Sequence, residues 1–284
     1  MCGPTAAGKS ALADVLAETI SEKFGEWATT LVVDSMQVYR EVPLLTNQGR
    51  TRAAEMVGIV SVADEWTVAH HKDHSESIIS SLSADLPFVL DAGTGMYLNA
   101  MLLDIPLAPK APAEVRANAA NLAVNATNPR REARRLELDL TGAPERGSIW
   151  GTRKSQMTCD ATFLYLRPER SELDRNIAVR SSRISRDGLW EAKRLIGSGT
   201  LPNPSARTAI GIKEMLLVAS GELHSNQAEE QIAIRTRRLA RRQIRWFDKL
   251  IRNLPDTTPH IVLDTPKEAS APHIKHIVHD ILEG

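Results

Sequence analysis

The sequence predicts an α/β protein, a parallel sheet with flanking helices followed by a mainly helical second half. Three observations carry that expectation. Unbroken apolar runs of strand length occur at 30–33, 86–90 and 162–166, segments of helical period separate and follow them, and a glycine-bearing turn opens the chain. Strands buried on both faces read as continuous apolar runs, whereas a half-exposed antiparallel sheet alternates.

The opening turn, Gly3-Pro4-Thr5-Ala6-Ala7-Gly8-Lys9-Ser10, completes the pattern G-x-x-x-x-G-K-[ST]. In that pattern glycines let backbone N–H groups curl around a phosphate at a helix N-terminus, the lysine adds a point charge and the hydroxyl is placed to help hold Mg²⁺. The expected sheet is therefore P-loop NTPase-like. The pattern points to phosphate binding and leaves hydrolysis, phosphoryl transfer and the holding of pyrophosphate open.

Apolar residues Leu12, Val15, Leu16, Ile20 and Phe24 recur at helical spacing after the turn. Thr30 to Val33 reads as a strand ending at Asp34, at the carboxyl edge where open α/β sheets bind ligands. A carboxylate there suits a general base, a metal ligand or a helix N-cap. Leu86 to Leu90 reads as a second strand ending in Asp91-Ala92-Gly93-Thr94-Gly95, and Thr162 to Leu166 as a third. Asp91 resembles the carboxylate that assists a bound metal in such sheets. Between 107 and 158 proline-bearing turns lead into Ala- and Arg-rich stretches with no strand pattern, a small all-helical insertion. The core is thus expected in two parts, 1–106 and 159–284. From Ser171-Glu172-Leu173-Asp174, read as a capping box, to about Asn253 the chain reads as helices punctuated by Gly188, Gly197 and Gly221. His70 and His71 are expected on an exposed helix start.

Composition limits the rest. The 284 residues are 42% hydrophobic and 25% charged, with no apolar stretch near the roughly 18 residues of a membrane helix, so no membrane partner is expected. Two distant cysteines, Cys2 and Cys159, form neither a disulfide framework nor a zinc pattern, which fits a reducing cytoplasm. Net charge is zero, yet six arginines lie between Arg235 and Arg245, with no acidic residue from Gln231 to Phe247. On a helix Arg238, Arg241, Arg242, Arg245 and Lys249 share a broad face while Leu239, Trp246 and Leu250 turn inward. Such a face suits the phosphates of folded RNA.

The phosphate loop followed by Asp34-Ser35-Met36-Gln37-Val38-Tyr39-Arg40 resembles the tRNA dimethylallyltransferase family. Leu45-Thr46-Asn47-Gln48, Ala92 to Leu98, Ala209 to Glu214 and Thr236 to Phe247 are similar to further family segments, in family order across most of the chain. The resemblance implies transfer of a dimethylallyl group from dimethylallyl diphosphate to N6 of the adenosine 3′ to the tRNA anticodon, position 37, with release of pyrophosphate. It implies that Asp34 deprotonates the amine. Residues Gly3 to Ser10, Thr5, Lys9 and Ser10 foremost, hold the diphosphate with Mg²⁺ at Ser10, and Arg180 neutralises charge on the leaving oxygen. It further implies tRNA contacts from Asp34, Ser35, Met36, Gln37, Thr94, Arg116, Arg130 and Arg131, beside those of Arg238, Arg241, Arg242 and Arg245. The partners are tRNA and dimethylallyl diphosphate, the cofactor Mg²⁺, the expected state a monomer and the place the cytoplasm.

The sequence departs from the family pattern at several points. Gln48 stands for a lysine, Ile212 for a tyrosine and Thr208 for a glutamine, the helical insertion is short, and the family's paired histidines are absent near Val60-Ser61. Only Met1 and Cys2 precede the loop, where this fold places a central apolar strand. Its loss is expected to cost more than the roughly 5 to 15 kcal/mol that holds a domain together, so a misassigned start or a truncated sequence is expected. Three other readings stand beside the first: a transferase acting on free adenine nucleotides, a small-molecule kinase, which the absence of any lid-like segment disfavours, and a catalytically weakened tRNA-binding homologue.

Overall fold

The computed structural model describes residues 1–103, 107, 110–127, 129–142 and 157–283, except the side chain of Arg130. Helix α1 (Lys9–Phe24) starts from Gly8 and stops at Gly25, both in the left-handed conformation that glycine adopts without penalty. The chain returns through β1 (Thr30–Val33), α2 (Val68–Ser81), β2 (Val89–Ala92) and α3 (Gly95–Leu102). Helices α4 (Ala113–Leu122) and α5 (Pro129–Thr141) pack on each other. Then come β3 (Phe163–Leu166), α6 (Arg170–Asp187), α7 (Leu189–Gly197), α8 (Ile212–Ala219), α9 (Ser225–Asn253), β4 (His260–Leu263) and α10 (Ala271–Glu283).

The strands form two parallel pairs, β1 with β2 and β3 with β4. Met1 and Cys2 join them. The Met1 amino group donates to the Leu90 carbonyl at 3.0 Å and Ala92 N–H donates to Met1, while Cys2 N–H donates to Leu164 and Leu166 N–H to Cys2. Met1 and Cys2, both buried, thus stand between the two pairs, Cys2 as an isolated bridge to Ala92 and Tyr165. On their amino-terminal side a cavity of about 1430 Å³ runs between β2 and β3, lined by Phe88, Leu90, Thr162 and Leu164 among others.

Apolar burial organises the layers. One core sets α1 and α10 against β2, β3 and β4, with Leu12, Leu16, Leu166, Leu263, Ile274 and Val278 inside. On the other face Tyr97, Leu98, Phe163, Tyr165, Phe247 and Leu250 pack α3 and α9 on the strands. A third core joins the segment after β1, through Tyr39, Val42 and Leu45, to Ile184, Leu195, Ile212 and Met215.

Several sequence expectations are corrected. The second strand begins at Val89, after Pro87, which has no N–H to offer a ladder. Ser171 lies inside the first turn of α6, which starts after Glu169 and has no side-chain cap, because Ser171 is already helical and cannot serve as N-cap. His71 is fully buried rather than exposed. Its Nδ1 accepts from Trp66 Nε1, its ring meets Tyr97, and burial pushes its pKa down to about 4. Strand β4 and helix α10 follow Asn253, in a stretch expected as core completion and C-terminal helices with no particular strand assigned there. Of 107–158, the described residues contain α4, α5 and no strand of their own.

Candidate active site

The carboxyl ends of the strands converge on a second cavity, of about 430 Å³, at the opposite end of the sheet from the first. Its lining includes Thr5, Lys9 and Ser10 from the loop, Asp34 and Gln37 from the end of β1, Asp91 and Gly93 from β2, Arg180 and Arg183 from α6, and Leu239 and Gln243 from α9. The two groups that the sequence most needs together, the loop and Asp34, therefore share one small enclosure.

The loop owes its shape to local backbone. Gly3 has φ +149°, and a Cβ there would come 2.3 Å from the Leu166 carbonyl oxygen, so only glycine lets the chain cross the tip of β3. Ala6 and Gly8 take φ of 62° and 88°, which turns the intervening backbone before α1 starts. Lys9 reaches back to donate to the Pro4 carbonyl at 2.8 Å. Burial lowers the Lys9 pKa, while Asp91 and Asp34 oppose the change and Arg180 adds to it.

Asp34 is held by its own turn. Its Oδ1 accepts from the N–H groups of Met36 at 2.8 Å and Gln37 at 3.3 Å, the pattern of an Asx turn. Burial raises its pKa and these two amides with Lys9 work the other way. Its Oδ2 faces Gly93, where a Cβ would lie 2.7 Å from it. The Gln37 Oε1 is buried with no hydrogen-bond partner among the described residues. Arg180 lines the cavity opposite, its pKa pushed down to about 10 by burial against the pull of Asp34, so it stays charged at neutral pH. Arg183 donates to Asn47 Oδ1 at 2.5 Å.

Asp91 has a different partner from a metal. Arg50 donates to it at 2.6 Å and to Asp14 on α1 at 2.6 Å, with all three side chains nearly excluded from solvent. Thr51 N–H and Oγ1–H also donate to Asp14. The Gln48 amide turns out of the cavity onto the Tyr39 carbonyl and Thr46 Oγ1, and Ile212 is buried in the core. Thr208 offers its carbonyl to Arg235, which also pairs with Glu214.

The remaining expected residues stand outside the cavity lining. Thr94 Oγ1 accepts from Ser35 N–H at 3.2 Å beside it. Arg238, Arg241, Arg242, Arg245 and Lys249 are all exposed on one side of α9, while Arg237 pairs with Asp174. Trp246 packs into the core, its Nε1 donating to Asn99 Oδ1 at 3.4 Å. Arg116 lies on α4 with its Nε buried and without a partner among the described residues, and Arg131 is exposed on α5. The Arg130 side chain lies outside the described residues.

Sequence reasoning missed Arg50, Arg183, Asn47 and Gln243 as parts of this region. Gln243 stood inside the quoted arginine-rich segment and Asn47 inside Leu45-Thr46-Asn47-Gln48, signals that were available; Arg50 and Arg183 carried none.

A model of the IPP transferase family matches residues 37–250. The tRNA dimethylallyltransferase of Rubrobacter xylanophilus is 53% identical, over 99% of this chain and 97% of its own. That of Thermobifida fusca is 32% identical, over 92% of this chain and 90% of its own. A tRNA delta(2)-isopentenylpyrophosphate transferase from Staphylococcus epidermidis has a similar fold, with TM-score 0.70 at 19% identity, covering 99% of this chain and 97% of that one. A eukaryotic dimethylallyltransferase acting on tRNA matches with TM-score 0.70 at 19% identity, over 99% of this chain and 78% of that one.

Proposed function

The chain belongs to the IPP transferase family, and on that premise we propose that it works as a tRNA dimethylallyltransferase whose P-loop NTPase-like loop grips a diphosphate as leaving group. The observation that carries this reading is the single cavity shared by Thr5, Lys9, Ser10, Asp34 and Arg180, with the exposed arginines of α9 on the same helix as its wall.

The chemistry follows from what each group does best. The exocyclic N6 of adenosine 37 attacks the first carbon of dimethylallyl diphosphate, the bond from that carbon to the bridging oxygen breaks, and pyrophosphate departs with the electron pair. Asp34 takes the proton that the attacking nitrogen sheds. Its Oδ1 is engaged by two amides, so Oδ2 is the acceptor, and its raised pKa makes it a stronger base than an ordinary aspartate. Gln37 Oε1 offers the amine a second acceptor. A donor placed where negative charge develops contributes most in an enclosure poor in water, and Arg180 and Lys9, which line the cavity, are the groups proposed for that role.

Mg²⁺, when bound, supplies charge for the departing diphosphate. The residues present fit a cation held by the Ser10 hydroxyl and the substrate's own oxygens. Asp91 is committed to Arg50, and among the described residues no group of three His, Cys, Asp or Glu side chains could hold a metal. Bringing the adenine out of its stack costs a few kcal/mol, repaid by contacts along the flanking nucleotides. Arg238, Arg241, Arg242 and Arg245 with Arg116, Arg130, Arg131 and Thr94 supply them. Among the described residues no helix is long and apolar enough to cross a membrane; a monomer in the cytoplasm is the state proposed.

The test is incubation of the purified protein with dimethylallyl diphosphate, Mg²⁺ and either unmodified tRNA or AMP, followed by nucleoside mass analysis. Prenylated adenosine in the tRNA arm alone, lost in Asp34→Ala and Arg180→Ala, is the expected result. Prenylated AMP would move the reading to free nucleotides. Tight tRNA binding without product would leave an RNA-binding homologue.

A further inference from the structure

Gln243 stands where three elements meet. On α9 it follows Thr236 and Leu239 at spacings of three and four, and all three line the cavity, while Arg238, Arg241, Arg242 and Arg245 occupy the exposed side of the same helix. Its Oε1 accepts from Thr5 N–H at 2.8 Å and its Nε2 donates to the Gly93 carbonyl at 2.7 Å. Gly93 N–H is itself held by the Val33 carbonyl at the tip of β1, and Gly93 is the residue against which Asp34 Oδ2 lies. A single side-chain amide therefore fixes the phosphate loop on one side and the floor beneath the Asp34 carboxylate on the other.

The amide's geometry makes it directional. A glutamine presents one acceptor and two donors in a plane, so both bonds form only while α9 keeps its position relative to loop and sheet. A helix is stiff along its length, and α9 has 29 residues with the basic face over the same turns as Gln243. A load on the arginines is transmitted to Thr5 and Gly93 without any intermediate element to absorb it.

We propose that Gln243 is a positioning residue that couples the two substrates: RNA docking on the basic face of α9 and diphosphate binding in the loop favour one another through its amide. This rests on the reading above, that α9 meets tRNA and the loop meets diphosphate. Gln243 holds the loop and the floor of the cavity in register through its own bonds to Thr5 and Gly93. Because coupling between two sites is reciprocal, each ligand tightens the other by the same factor.

The experiment uses the full chain with Mg²⁺, labelled unmodified tRNA and inorganic pyrophosphate. The tRNA dissociation constant is measured with and without saturating pyrophosphate, and the pyrophosphate constant with and without tRNA, for wild type, Gln243→Met and Gln243→Glu. The expected wild-type coupling is about tenfold, within the usual range for linked sites. In Gln243→Met it falls to near onefold, read as the ratio of each constant with and without the other ligand so that any loss of single-ligand affinity cancels. Gln243→Glu keeps an acceptor for Thr5, loses the donor to Gly93 and adds negative charge to the cavity lining, so it binds pyrophosphate more weakly than wild type and its coupling factor also falls to near onefold. Wild-type coupling below about twofold overturns the proposal, as does wild-type coupling retained in Gln243→Met. Should Gln243→Met fail to fold, the coupling factor of Gln243→Glu decides in the same way: near onefold supports the proposal and wild-type coupling overturns it. Failure of tRNA or pyrophosphate to bind wild type at all would instead count against the reading of the site.

Discussion

Adding two β-branched residues before Met1 is expected to stabilise the 284-residue chain. Residues in a parallel strand alternate edges, and Val89 N–H is taken by Thr29, so Leu90 and Ala92 turn toward Met1. On the facing strand Phe163 N–H is taken by Pro259, so Leu164 and Leu166 turn inward. A residue joined to Met1 is in register to donate to Thr162 and to accept from Leu164 N–H, and the residue before it to donate to Phe88 and accept from Leu90 N–H. Two apolar side chains then enter the cavity of about 1430 Å³. Burying two valines contributes about 3 to 6 kcal/mol and four hydrogen bonds about 2 to 6. Ordering two residues costs about 3 to 6 kcal/mol. The net gain is about 4 kcal/mol, or a rise in Tm of about 8 °C or more at the 2 to 4 °C per kcal/mol of large domains.

A second signature separates this from unspecific stabilisation. The Met1 ammonium is buried, and desolvation lowers its pKa from 8.0. The unfolded chain therefore binds a proton that the folded chain resists, and this contribution makes stability rise as pH climbs from the depressed pKa toward 8.0 and level off above it. With a peptide bond in place of the ammonium the contribution disappears. Urea unfolding of wild type, a Val-Val extension and a Gly-Ser extension, each followed from pH 6 to 9, measures both effects. An apolar extension that leaves the unfolding midpoint unchanged, or that keeps the wild-type pH slope, would refute the register argument.

Other outcomes follow from the same geometry. The rate of prenyl transfer should fall as pH drops through the raised pKa of Asp34, above the ordinary aspartate range, and Asp34→Asn should lower kcat by about 10² to 10⁴; a flat acid limb in single-turnover assays would contradict this. Arg50→Met leaves Asp14 and Asp91 buried without their guanidinium and should cost about 3 to 5 kcal/mol in denaturant unfolding. Gly95→Ala places a Cβ 2.1 Å from Trp246 Cδ1, so the indole must move, at about 1 to 3 kcal/mol of stability and with a change in tryptophan fluorescence. Replacing Arg241 and Arg242 together by alanine should weaken tRNA binding at low salt and reduce the slope of log affinity against log salt by about 2, read by filter binding over a salt series.

Features whose chemistry is contiguous were legible before folding was known. The loop proposed to hold phosphate bends through its own backbone, so Gly3 to Ser10 could be read as a unit, as could Asp34 capping its own turn and the arginine face of α9, which follows from helical period alone. Tertiary structure decided everything that depends on distant residues. Asp91 has the sequence appearance of a metal ligand, but Arg50, 41 residues away, claims it. His71 sits in a polar-looking run, yet burial against Trp66 and Tyr97 strips its water and keeps it neutral. Met1 and Cys2 look too short to be a strand and still join two strand pairs, because their partners, Leu90, Ala92, Leu164 and Leu166, are fixed by the rest of the sheet. Gln243 reads as one more polar residue among arginines until folding brings Thr5, 238 residues away, within 2.8 Å of it. Local pattern encodes what a segment's own backbone and period can do. A hydrogen bond or ion pair across the fold is set by packing that no short window contains.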